Sequence, residues 1–279
     1  MIHLTHEQLG ELRDAARQKN RYKNEKLWTL LAADVIDRTT TPSVMVETLC
    51  GERVEPPYPP TLWYEAQPLS PRASEDGQSE GNTRLDLALG FVEQRGTTKG
   101  GIQYGPTQPG SWVCFVEAKC LSDCSYSVSN DPLRNQLARV IENLLCFQNA
   151  GVFPDHVYFT LLTPRLFRDT AVGRRSRLFA YKFAEYKADP QVLVEDLTHA
   201  DPKLPHRKDS TAFRFPNHAE RIKALHMNWI TFEDILEPAW DMRLDVAGNA
   251  EAVIDLRERV ERVADSIQAR MTENAPTGV

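Results

Sequence analysis

Long apolar runs are missing from this chain. No stretch approaches the roughly 20 consecutive apolar residues that span a bilayer, and the opening Met-Ile-His-Leu-Thr-His-Glu lacks the charged and apolar regions of a signal peptide. The two absences predict a cytoplasmic protein with no membrane partner. Cysteine is scarce: the five residues, at positions 50, 114, 120, 124 and 146, are an odd number without paired Cys-x-x-Cys spacing. That excludes a disulfide framework and predicts reduced thiols, mostly in the core. An excess of positive charge is missing too. The 33 Lys and Arg against 39 Asp and Glu leave a net charge of −6, which argues against a chain that coats nucleic acid through bulk charge. His199, His206, His218 and His226 show no metal-ligand spacing and are read as exposed or core residues.

What is present suffices for a core. At 279 residues, 41% hydrophobic and 26% charged, the chain can form one large domain or one domain with an appendage. Thr5 and Gln8 form a capping-box pattern opening a helix that reaches about residue 18. A second helix is expected over about 21–37, with Leu27, Leu30, Leu31 and Val35 inward and Thr40-Thr41-Pro42 ending it. Residues 43–49 read as a short strand, and 61–67 alternate as a strand after the rigid connector Pro56-Pro57-Tyr58-Pro59-Pro60. Two stretches rich in Gly, Pro and polar residues, 68–82 and 94–110, read as long surface loops. Residues 155–162 read as a buried strand and 227–231 as a strand leading into a helix at Phe232; 170–225 mix short helices and loops in no assignable order.

The chemistry concentrates at Glu117-Ala118-Lys119, which closes the apolar run Trp112-Val113-Cys114-Phe115-Val116 and so sets two opposite charges at the end of a buried strand. Side chains two apart on a strand share a face, so Glu117 and Lys119 point the same way. Burying either charge without a partner or a metal costs several kcal/mol. Upstream, residues 84–89 alternate as a strand with Asp86 between leucines. Downstream, Asp131-Pro132 is expected to open a helix as N-cap and first residue. Leu133, Leu137, Val140, Ile141, Leu144 and Leu145 form its apolar face, and Asn149-Ala150-Gly151 stops it. Gln136 and Arg139, three apart at the edge of that face, can reach one neighbouring site.

A strand with Asp86, a strand ending Glu117-x-Lys119 and a helix with Gln136-x-x-Arg139, in this order, resemble the PD-(D/E)xK nuclease superfamily. The resemblance covers about residues 20–165. It implies an α/β fold of the restriction-endonuclease-like type: an αβββαβ core, a mixed central sheet flanked by helices, and helical additions at both ends. The nuclease-like domain is then placed at 1–245. Two departures stand out: no proline precedes Asp86, and the long spacing to Glu117 requires an inserted loop. Some proteins of this fold carry iron–sulfur clusters, but Cys120 and Cys124 lack further ligands at suitable spacing.

The residue types suit phosphodiester hydrolysis. Asp86 and Glu117, with the Ala118 carbonyl, can hold Mg2+ or Mn2+ through oxygen ligands. Lys119 can position a water and stabilise developing negative charge, while Gln136 and Arg139 orient the site or touch the phosphate. For the acid that the family carries on its first helix, Glu25 is preferred and Glu65 is the alternative. Arg165, Arg168, Arg174, Arg175 and Arg177, followed by Lys182, Lys187 and His206-Arg207-Lys208, read either as a phosphate-binding surface for DNA or as solvated loop. Three functions of different classes follow. The preferred one is a metal-dependent deoxyribonuclease, an endonuclease of restriction, repair or defence. The others are a nuclease-fold module that binds nucleic acid or protein without cutting, and an unrelated α/β hydrolase using a metal on small molecules. Over 246–271, Val253, Leu256, Val260, Val263 and Ile267 recur at spacings of three and four, as in an amphipathic helix that packs on its own domain or forms a homodimer seam. Residues 272–279 read as a disordered tail.

Overall fold

The structure is a computed structural model and describes residues 2–3, 25–58, 61–73, 80, 83–105, 108–120, 122–125, 134–169, 177–199, 202, 204–208, 213–241 and 258. The helix expected over 5–18, the Asp131-Pro132 start, Arg174, Arg175 and the 246–279 segment apart from Glu258 lie outside these residues.

In chain order the elements are strand β1 (Ile2–His3), helices α1 (Glu25–Thr39) and α2 (Pro42–Cys50), and strands β2 (Leu62–Pro68), β3 (Leu85–Gly90), β4 (Val92–Gln94), β5 (Gly101–Tyr104) and β6 (Trp112–Ala118). Helix α3 (Gln136–Leu145), strand β7 (His156–Thr163), helices α4 (Arg165–Asp169), α5 (Leu178–Ala188), α6 (Pro190–Thr198) and α7 (His218–Arg221), strand β8 (Leu225–Thr231) and helix α8 (Phe232–Asp241) follow. The mixed sheet runs β4-β5-β2-β3-β6-β7-β8, with β1 alongside β2. Strand β3 is antiparallel to both β2 and β6, whereas β6, β7 and β8 are mutually parallel.

Parallel strands need a crossover, and α3 supplies it between β6 and β7. Every residue of β6 is buried, as expected for a central strand covered on both faces. Phe115, on the face of α3, meets Phe147 edge-on at 5.1 Å. On the opposite face Thr160 donates to the Leu49 carbonyl of α2, and Trp28 of α1 packs against Phe232 of α8 at 5.5 Å. Each such side chain removed from water contributes about 1.5–3 kcal/mol. Helices therefore cover both faces of the sheet.

Several expectations need correction. Residues 43–49 are helical: Thr41 caps α2 through its side chain, Pro42 takes the first turn, and Met45, Val46, Leu49 and Cys50 are buried at helical spacing. The 94–110 segment is not all loop, because β5 pairs with β4 and, at Gln67↔Gly101 and Pro68↔Ile102, with β2. Helix α3 begins at Gln136, and its N-cap is Asn135, whose side chain accepts from the Ala138 N–H. The aspartate–proline pair carried the stronger sequence signal, but Asn135 sits where the exposed N–H groups are. The inward residues expected for α1, namely Leu27, Leu30, Leu31 and Val35, are buried.

Candidate functional site

Register brings the expected residues together. Leu87 faces Val116 and Ala88 faces Phe115, so the pairing continued by one step sets Asp86 opposite Glu117. Directly opposed residues share a sheet face, with Cβ atoms about 4.5–5.5 Å apart. Lys119 follows two positions on and projects to the same side. The site thus lies at the carboxyl end of β6, where α3 begins.

Four groups converge there. Lys119 Nζ lies 2.8 Å from Glu117 Oε1 and 3.2 Å from Glu25 Oε1, and it donates to the Ala118 carbonyl at 3.0 Å. Glu117 is 2% exposed and Lys119 4%. Asp86 accepts from the Ala118 N–H at 2.7 Å, which aims its carboxylate across the strand end. Glu25, the first residue of α1, accepts from the Cys120 N–H and the Ser122 hydroxyl, each at 2.9 Å. Gln136 donates to Glu117 Oε1 at 2.7 Å, and its own amide oxygen accepts from the Ser125 N–H at 3.2 Å. The start of α3 therefore locks one carboxylate in orientation.

Electrostatics follow from crowding. Burial, and then the neighbouring Glu117 carboxylate, push Asp86 well above the ordinary carboxylate range, with Lys119 opposing. Burial also raises Glu117, again against the pull of Lys119. For Lys119 burial works against the charge, yet Glu117, Glu25 and Asp86 outweigh it and hold the ammonium above the usual lysine value. Acids raised by burial and mutual repulsion around one lysine mark this strand end as a candidate functional site.

The remaining expected residues sit elsewhere. Glu65 counts opposite Asp86 in the β2–β3 register, but its backbone is left-handed, at φ 47°, and its carboxylate is 2.6 Å from Lys26. Glu25 is the acid the fold delivers to the cluster. Arg139 donates to the Thr83 hydroxyl and the Glu80 carbonyl, both at 3.0 Å, so it braces the segment leading into β3. Arg165 forks onto Glu237 at 2.9 Å and Arg168 lies 2.6 Å from Asp234, while the Arg177 guanidinium covers the Phe167 ring at 4.7 Å. These three cations tie α4 to α5 and α8 and form no row of free charges.

The structure adds residues with no local signature. Glu80, Arg72, Arg134 and Glu142 form a buried ion network, in which Arg72 binds Glu142 at 2.8 Å and Arg134 contacts both Glu80 and Glu142. His206 and His218 join it. Their ring nitrogens and a Glu142 oxygen all lie within 4.8 Å of one another, a group that could hold a metal ion. Any such ion competes with two guanidiniums for Glu142. Burial, with Arg72 and Arg134 nearby, holds both histidines down at about 4, so they are neutral at pH 7. These histidines were expected to stand apart from any ligand set; long-range folding brings them together.

Comparison of the chain with family models, with curated proteins and with solved structures found no match.

Proposed function

We propose that the protein is a metal-dependent nuclease acting on the phosphodiester bonds of DNA, with Asp86, Glu117, Lys119 and Glu25 as its working groups. The observation that carries the reading is the convergence of these four side chains, from two adjacent strands and the first turn of α1, at one end of the sheet. The order α1-β2-β3-β6-α3-β7, interrupted by α2 after α1 and by β4 and β5 after β3, sets the first three of these strands side by side and returns the fourth parallel through a helix, which supports a restriction-endonuclease-like core.

The donor set suits a hard divalent ion. Carboxylates at Asp86, Glu117 and Glu25, with the Ala118 carbonyl, are oxygen ligands of the kind Mg2+ and Mn2+ prefer, and the raised Asp86 and Glu117 would be relieved by added positive charge. A bound ion would polarise the phosphate and lower the pKa of a coordinated water. Lys119 supplies a positive charge beside the reacting phosphate and stabilises the negative charge that builds on its oxygens. Gln136 fixes the rotation of Glu117, and Arg139 fixes the strand carrying Asp86 through Thr83 and Glu80.

Incubating the purified protein with supercoiled plasmid, linear duplex, single-stranded DNA and RNA, with Mg2+, with Mn2+ or with chelator, tests the reading. Metal-dependent loss of supercoiled DNA is expected. No cleavage of any of these with either ion sinks it.

A further inference from the structure

Three of the groups assigned above to a metal already hold a cation of the protein's own. Lys119 Nζ contacts Glu117 Oε1, Glu25 Oε1 and the Ala118 carbonyl at 2.8, 3.2 and 3.0 Å, three of the four groups the metal would use. Distances near 3 Å suit an ammonium, whereas Mg2+ needs its oxygens at about 2.0–2.1 Å. The three oxygens cannot satisfy both cations at once, and two positive charges held a few ångströms apart in a buried site repel strongly. We propose that Lys119 is an internal counter-ion occupying the cation seat, and that a divalent ion enters by displacing its ammonium. The inference rests on the reading of these oxygens as metal ligands.

Three features favour displacement over rejection of the metal. Lys119 is anchored by its backbone, through its N–H to the Leu162 carbonyl at 2.9 Å, so the long side chain can move without disturbing β6. Glu25 has 25% of its side chain exposed, against 5% for Lys119 and 2% for Glu117, so the ion-paired group opens on the side of Glu25. The Ser122 hydroxyl and the Cys120 N–H hold the other oxygen of Glu25, keeping that carboxylate in place when the ammonium leaves. An ion-paired lysine also keeps the metal-free site intact, since buried carboxylates without a cation are costly. Lys119 is thus a positioning residue for metal exchange as well as a charge beside the phosphate.

The test reads metal affinity and needs no turnover. Mn2+ is titrated calorimetrically into the wild type, Lys119→Met and Glu117→Gln. The proposal expects Lys119→Met to bind about tenfold tighter or better, because a competing charged contact is gone, and Glu117→Gln to lose binding. Equal or weaker binding by Lys119→Met, at a site that still requires Glu117, overturns the displacement and leaves the metal reading standing. No Mn2+ binding to the wild type or to Lys119→Met, or binding indifferent to Glu117→Gln, overturns both. Should Lys119→Met not fold, reductive methylation of the wild type decides. Lys119 is expected to be modified slowly in chelator and faster with Mn2+, and a rate unchanged or slowed by Mn2+ overturns the proposal.

Discussion

Glu142→Gln is the sharpest test of what holds the molecule together around its site. Glu142 sits on α3, fully buried, with Arg72 Nε at 3.0 Å and Nη2 at 2.8 Å, Arg134 against its other side, and His218 Nε2 at 3.2 Å. Glutamine keeps the shape but removes the negative charge and turns one acceptor into a donor that faces guanidinium donors. Breaking a buried charge pair by removing one partner costs about 3–5 kcal/mol. At about 2–4 °C per kcal/mol for a domain of this size, Tm should fall by about 6–20 °C. Differential scanning calorimetry of the variant beside wild type measures the fall directly, with Glu47→Gln, on the exposed side of α2, as a control expected to change stability by less than about 0.5 kcal/mol. A Glu142→Gln shift no larger than that of the control would refute the argument that this network is a structural keystone.

Other outcomes follow from the same geometry. The raised Asp86 contributes stability that is full below its unfolded value of 3.8 and lost as pH rises through its higher folded value. Asp86→Asn, which cannot ionise, should therefore be more thermostable than wild type at about pH 8 without metal, and the gap should shrink on acidification to about pH 5; thermal melts across that range check the sign. Gln136→Ala leaves Glu117 without its 2.7 Å donor and should slow metal-dependent cleavage by about 10–100-fold, the usual cost of losing a group that orients a ligand, with little change in Tm.

The strands and the site were legible because each has a local cause. The apolar run before Glu117 can only be a buried strand, and alternation around Asp86 set its face, so the pairing of two strands sufficed to join the two carboxylates. Glu25 was legible as an acid on the helix expected over about 21–37. Residues 43–49 misled because Val44, Met45, Val46 and Leu49 suit a strand by composition, while Thr41 capping and Pro42 favour a helix. The short β5 strand was hidden because its pairing with β2 depends on residues more than thirty positions away. The Arg72–Glu142–Arg134 network left no periodic trace for the same reason: Arg72 joins Glu142 across a separation of 70 positions. Arg165 and Arg168 read as a basic run until Asp234 and Glu237, arriving from α8, neutralised them.

The most direct test of the central claim is the rate at which supercoiled plasmid is nicked by wild type and by folded Glu117→Gln, in Mg2+ or Mn2+ and in chelator. The account predicts cleavage by the wild type that needs the metal, and none above background from Glu117→Gln. Cleavage at the same rate by both proteins, or wild-type cleavage that persists in chelator, would contradict it.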